Sequence, residues 1–184
     1  MAGPENLSLS HLGLYVRDIE AMTAFYRGVL GFAVTDRGRL GETEIVFLSR
    51  DAREHHQIVL VAGRTGAADA QVVNQISFRL PALADLKKAA SRVASSPATE
   101  LDPVLHGVAW SLYFRDPERN RIELFVDTDW YIPQPCRMPL DLTLSDDEIY
   151  RLSHAFCQVQ PGWRPLADWQ ADFAARLAAQ MDPA

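Results

Sequence analysis

Glu123 lies in the run from Trp110 to Phe125, a stretch that reads as a β-hairpin. An apolar strand leads to a turn at Asp116, Pro117, Glu118, Arg119 and Asn120, and a second strand follows over 121–126. A carboxylate set among Ile122, Leu124 and Phe125 requires a partner, because burying an unpaired charge is costly. A divalent cation is one such partner. His11 occupies a similar alternating strand near the start of the chain. An imidazole and a carboxylate on distant strands suggest a metal site. Other residues offer proton chemistry. His55 and His56 open a strand, His106 sits in a loop before Gly107, and Tyr113 lies ten positions before Glu123 (123 − 113 = 10). A hairpin symmetric about Glu118 makes Tyr113 and Glu123 cross-strand neighbours. An imidazole titrating near neutrality suits proton transfer.

The elements that must position these groups repeat. The segment from His11 to Ile19 can be laid over that from Gln75 to Leu83, and both are strands running into a helix. Asp18 is a good N-cap for the first helix, which carries Ile19, Met22, Phe25, Tyr26 and Val29 toward a core, with Gly31 as its left-handed end. The second helix starts after Pro81 and carries Leu83, Leu86, Ala90 and Val93. Strands follow each helix, at 31–35, 44–49 and 57–62, then near 101–104, at 109–114 and at 121–126. Each half reads β-α-β-β-β. The Gly- and Ala-rich segment 63–71 is the expected linker between them. The overlay also places Gln75 opposite His11. Adding 48 residues (123 − 75 = 48) to His11 reaches Val59, the counterpart of Glu123. Strand alternation puts His56 with Ile58 rather than Val59, and a one-residue ambiguity in the overlay leaves open which of these points at the site.

Beyond Asp127 the pattern changes. Pro133, Pro135 and Pro139 mark an extended stretch with Trp130 and Tyr131, residues that fit either an aromatic pocket or tail packing. Ser145 and Glu148 form a capping box, predicting a helix with Ile149, Leu152, Phe156 and Val159 on one face and His154 at its surface. A last helix is expected from near Pro165, with Trp169, Phe173 and Leu177 at four-residue spacing.

The chain has 184 residues, 48% hydrophobic and 23% charged, ordinary values for a globular protein. Its net charge of -6 disfavours a nucleic-acid or anionic-membrane partner. No apolar run reaches the ~20 residues of a spanning helix. The opening residues 1–6 lack the pattern of a secretory signal, and two cysteines, Cys136 and Cys157, make no disulfide framework. A cytoplasmic location with reduced thiols is the expectation. The apolar stripe of the tail helices fits either a homodimer or a tail folded back.

The duplication, the run from His11 to Asp18, the pairs Phe25-Tyr26 and Gly31-Phe32, and the stretch from Tyr113 to Glu123 resemble the vicinal oxygen chelate superfamily. That group includes glyoxalase I, extradiol catechol dioxygenases and bleomycin-resistance proteins. The resemblance covers roughly 7–127 and implies an α+β fold. Two paired βαβββ modules, 7–62 and 72–127, would form one curved mixed sheet within a domain spanning 1–127, and 128–184 would be a two-helix extension. It implies metal ligands at His11, Gln75 and Glu123, with His56 as acid–base residue, Tyr113 binding substrate, and His106 at the mouth of the site. Gln75 stands where extradiol enzymes carry a second His ligand, and Arg119 where the family has a turn glycine, implying a different turn geometry. The activity implied is ring cleavage of a small catechol-like aromatic by O2 with Fe(II), or with Mn(II) or another divalent metal. An isomerase, epimerase or lyase working through an enediolate, and a small-molecule-binding module, are the alternatives.

Overall fold

The computed structural model describes residues 8–67 and 72–181. The opening residues, and 68–71 of the expected linker, lie outside the described residues. The first half runs β1 (Leu12–Val16), α1 (Ile19–Gly28), β2 (Ala33–Leu40), β3 (Thr43–Ser49) and β4 (Ile58–Ala62). The second runs β5 (Ile76–Arg79), α2 (Leu83–Ala94), β6 (Thr99–Leu105), β7 (Ala109–Arg115) and β8 (Arg121–Asp127). Both halves have the predicted β-α-β-β-β order. The strand expected near 101–104 is a full seven-residue strand, β6.

Among the described residues the strands of the two halves form two hydrogen-bonded sheets rather than one, with orders β1-β4-β3-β2 and, closed by a short added strand β10 (Met138–Pro139), β10-β6-β7-β8-β5. In each half the first strand pairs parallel with the last and stands at the sheet edge. The two edge strands are thus free to flank a common cleft. Apolar side chains cross between the halves: Phe25 of α1 lies 6.5 Å from Phe114 of β7, and Phe32 lies 5.6 Å from Phe78. One continuous core therefore fixes the halves against each other.

Local chemistry explains the element ends. The Asp18 carboxylate accepts from the Ala21 N–H at 2.9 Å and caps α1. That helix ends at Gly28, and Gly31 takes the left-handed conformation three residues later (φ 74°). The hairpin turn is ordered by Asp116, which accepts from the N–H groups of Glu118 and Asn120 and from the Asn120 side chain. Burial raises the Asp116 pKa, and those three donors oppose the rise. Arg119 adopts φ 67°, the left-handed conformation a glycine favours, so this turn places a non-glycine residue in that region. Glu118 then reaches the other half, accepting from the N–H groups of Arg17 and Asp18 at the start of α1.

The tail contains β9 (Trp130–Tyr131), β10, α3 (Asp146–Cys157), β11 (Arg164–Pro165) and α4 (Leu166–Met181). The capping box of Ser145 and Glu148 is present. Trp130, 1% exposed, anchors the tail by edge contacts with Trp110, Tyr150 and His154. His154, expected at the surface, is half-buried by this aromatic group. Antiparallel pairing of β9 with β11 brings the start of α4 back to the second sheet.

Candidate active site

Register places the chemistry. Glu123 of β8 pairs with Ser77 of β5 on one side and Tyr113 of β7 on the other. The parallel β5–β8 and antiparallel β7–β8 ladders thus line up three polar side chains in one row. The Ser77 hydroxyl donates to Glu123 Oε2 at 2.5 Å, and the Gln75 amide donates to the same oxygen at 2.8 Å. Gln75 also donates to Ser77 Oγ at 3.0 Å. Glu123 is only 7% exposed, and every described partner of it is neutral. Ser77 was not among the residues singled out by sequence. Strand period, two residues after Gln75, is the signal that could have found it.

Tyr113 extends the row. Its hydroxyl lies 3.0 Å from His106 Nε2, and His106 Nδ1 lies 2.7 Å from the Cys136 carbonyl oxygen. A carbonyl only accepts, so Nδ1 donates to it, and where that is the ring's one proton Nε2 is an acceptor for the Tyr113 hydroxyl. Burial, then the Glu123 carboxylate, push the Tyr113 pKa up to about 12. The phenol is therefore un-ionised at neutral pH. The Arg121 guanidinium covers its ring at 4.1 Å.

A second cluster stands at the start of β1 and β4. The rings of His11 and His56 are 4.3 Å apart, edge to face. His55 Nε2 lies 2.8 Å from Asp36 Oδ2, and His55 Nδ1 lies 2.8 Å from His56 Nδ1. An ionised Asp36 only accepts, so His55 Nε2 donates to it. In the tautomer whose one proton is on His55 Nε2, Nδ1 of His55 accepts from the Nδ1–H of His56 and leaves His56 Nε2 able to take a proton. Burial, followed by the neighbouring His11 and His55, lowers the His56 pKa.

Two clefts meet at Gln75 and Ser77. One, of about 750 Å³, is walled by Gln75, Ser77, Tyr113, Glu123 and His106, with apolar surface from Val108, Ala109 and Phe125. The other, of about 740 Å³, includes His11, Arg50 and Gln57 with Gln75 and Ser77. The structure thus joins Gln75, Glu123, Tyr113 and His106 directly. It groups His11 with His56 and His55 in the adjoining region. Gln75 bridges the two. Among the described residues no three His, Cys, Asp or Glu side chains are grouped to hold a metal. The groups gathered there are the buried Glu123 carboxylate, with no cationic hydrogen-bond partner among the described residues, an amide and a hydroxyl. That oxygen-rich set suits a hard divalent cation, and His11 lines the adjoining cleft rather than the one that holds Glu123.

The match to known proteins follows this geometry. Residues 8–124 match the model of the Glyoxalase/Bleomycin resistance protein/Dioxygenase superfamily. The chain belongs to that superfamily. Biphenyl-2,3-diol 1,2-dioxygenase 3 of Rhodococcus globerulus is 32% identical over 164 residues, spanning 86% of this chain and 78% of the relative. Biphenyl-2,3-diol 1,2-dioxygenase 2 of the same organism is 30% identical, over 64% of this chain and 62% of the relative. Among solved structures, a superfamily domain from Frankia sp. EAN1pec has a TM-score of 0.59 at 24% identity, covering 67% of this chain and all of that one. FosX from Listeria monocytogenes, a fosfomycin resistance protein complexed with Mn(II), has a TM-score of 0.54 at 20% identity, covering 67% of this chain and 95% of its own. These structures share the fold. Glu123, Tyr113, His11, His55, His56 and His106 fall within the matched segment. The tail that follows residue 124 does not.

Proposed function

We propose that this protein is a metal-dependent dioxygenase that opens the ring of a catechol, with a biphenyl-2,3-diol as the model substrate. The observation that carries the reading is the row Ser77–Glu123–Tyr113 with His106 behind it, in a chain whose curated relatives bear that activity in their names.

Glu123, Gln75 and His11 are the residues that would hold a divalent metal, Fe(II) being the first choice and Mn(II) the second. Such a metal supplies Lewis acidity toward neighbouring oxygens and the redox capacity for O2. The protein supplies the rest. Tyr113, un-ionised, hydrogen-bonds one substrate oxygen, and His106 holds the phenol in place through its fixed tautomer. His56 accepts the proton of a substrate hydroxyl at its bare Nε2, and the Asp36–His55 pair keeps that nitrogen free. Val108, Ala109 and Phe125 shield the reacting ring from water.

The test is anaerobic loading with Fe(II), addition of biphenyl-2,3-diol, and admission of oxygen. Oxygen uptake with formation of a yellow product is expected. No uptake with Fe(II) or Mn(II) across a panel of catechols overturns the reading. Gln75 in place of an imidazole favours a second reading, an isomerase or lyase with a redox-inert metal. Oxygen-independent turnover with Mn(II) selects it.

A further inference from the structure

The cleft that holds Glu123 has a wall built by the tail. Tyr131, Leu166 and Trp169 line it, and all three lie beyond the segment that matches the superfamily. They are held there by independent contacts. Tyr131 lies on β9, paired with β11, and α4 begins at the next residue. The Leu166 N–H donates to the Asp129 carbonyl at 2.9 Å, fixing the first turn of α4 against β9. Trp169 stacks on Tyr131 with ring centroids 5.1 Å apart and planes 15° apart, and Phe173 stacks on Trp169 at 5.2 Å and 13°. A half-buried indole held between aromatic neighbours is a rigid apolar surface, and little conformational freedom is lost when a ligand meets it.

The cleft divides chemically. Glu123, Gln75, Tyr113 and His106 form its polar side, and the tail adds aromatic and aliphatic surface. A volume of about 750 Å³ lies well within the range of about 300–1,000 Å³ that holds drug-sized ligands. A single catechol ring leaves much of that space unfilled.

We propose that the tail builds a subsite for a second aromatic ring, and that Trp169 is the residue that selects two-ring over one-ring ligands. This rests on the reading that catechols occupy the polar side. A two-ring catechol sets its hydroxyls toward Glu123 and Tyr113 and its distal ring against Trp169.

The experiment is an anaerobic binding titration of the full chain by calorimetry, with biphenyl-2,3-diol and catechol as probes. Wild type is expected to bind the two-ring probe at least about tenfold more tightly. Trp169→Ala should remove most of that preference while leaving catechol affinity within about twofold. Trp169→Phe should keep most of it, and unchanged circular dichroism should accompany both variants. A preference that survives Trp169→Ala overturns the proposal, as does a wild type that binds the probes equally or binds neither. No oxygen is present, so ring cleavage failing in the separate oxygen assay leaves this result standing.

Discussion

The two halves of the molecule carry the same backbone and different chemistry on it. In the second half the register row reads Asp102, Tyr113, Glu123, Ser77 across β6, β7, β8 and β5. The equivalent row in the first half reads Asp36, Phe47, Val59, Gly13 across β2, β3, β4 and β1. Even the irregularity in the outer strand recurs, between Val34 and Asp36 and between Thr99 and Asp102. Glu123 sits between two hydroxyl-bearing residues, whereas Val59 sits between a phenyl ring and a glycine. A nearly buried carboxylate is sustained only where the neighbouring strands supply donors. The second half therefore carries the charged centre, while the histidines of the first half cluster just before β1 and β4.

Glu123→Gln tests that contrast most severely. It removes the charge and leaves the shape, and ring-cleaving activity should fall by about a thousandfold or more, read as oxygen uptake. The folded structure should persist, since an amide can still pair with Ser77 and Gln75.

Val59→Glu asks the reverse question. A carboxylate opposite Gly13 and Phe47 lacks the hydroxyl donors of the other half and should cost about 2–4 kcal/mol in urea unfolding at pH 8. Its pKa in the folded state should rise above the ordinary value of about 4.3, so the loss should shrink as the pH is lowered through that range. Adding Gly13→Ser and Phe47→Tyr rebuilds the second half's row and should recover about 1–2 kcal/mol. Space permits the serine, because a Cβ at Gly13 meets no atom within 4 Å.

Tyr113→Phe should lower turnover by about ten- to a hundredfold and destabilise by about 1 kcal/mol. It also carries a pH signature in the metal-free protein. The folded phenol ionises at about 12, whereas an unfolded tyrosine ionises near 10. As the pH rises between those values the unfolded state releases its proton first, so wild type loses stability across that window. The variant should lose less, in parallel urea titrations. Ser77→Ala is the mildest change. It removes the 2.5 Å donor to Glu123 and leaves Gln75, and should cost about 1 kcal/mol.

Much of this was legible from residue order. The hairpin, its turn and the pairing of Tyr113 with Glu123 follow from alternation around a Pro-containing turn, and the observed register agrees. The duplication correctly equated Gln75 with His11 and Glu123 with Val59. The ladders make Val59 the register counterpart of Glu123, since Gly13 pairs with Val59 as Ser77 pairs with Glu123, while Ile58 is the one of the two that lines the cleft beside His11. Other features were not legible. Arg119 takes a positive φ in a turn where Asp116 accepts from neighbouring N–H groups and Arg119 pairs with Glu100, nineteen positions away (119 − 100 = 19). The division into two sheets depends on which edges find hydrogen-bond partners. His154 turned inward because Trp130 and Trp163 came to it from elsewhere in the tail.

Side-chain period and turn chemistry act over a few residues, so the sequence alone determined the β-α-β-β-β repeat, the capped helices and a carboxylate in need of partners. Which groups became those partners was decided by tertiary structure. Ser77, the fixed tautomer of His106, the Asp36–His55–His56 chain and the approach of Trp169 each join residues far apart in order. Only packing of the shared core sets those distances, and hydrogen bonds and tautomers respond to distance rather than to spacing along the chain.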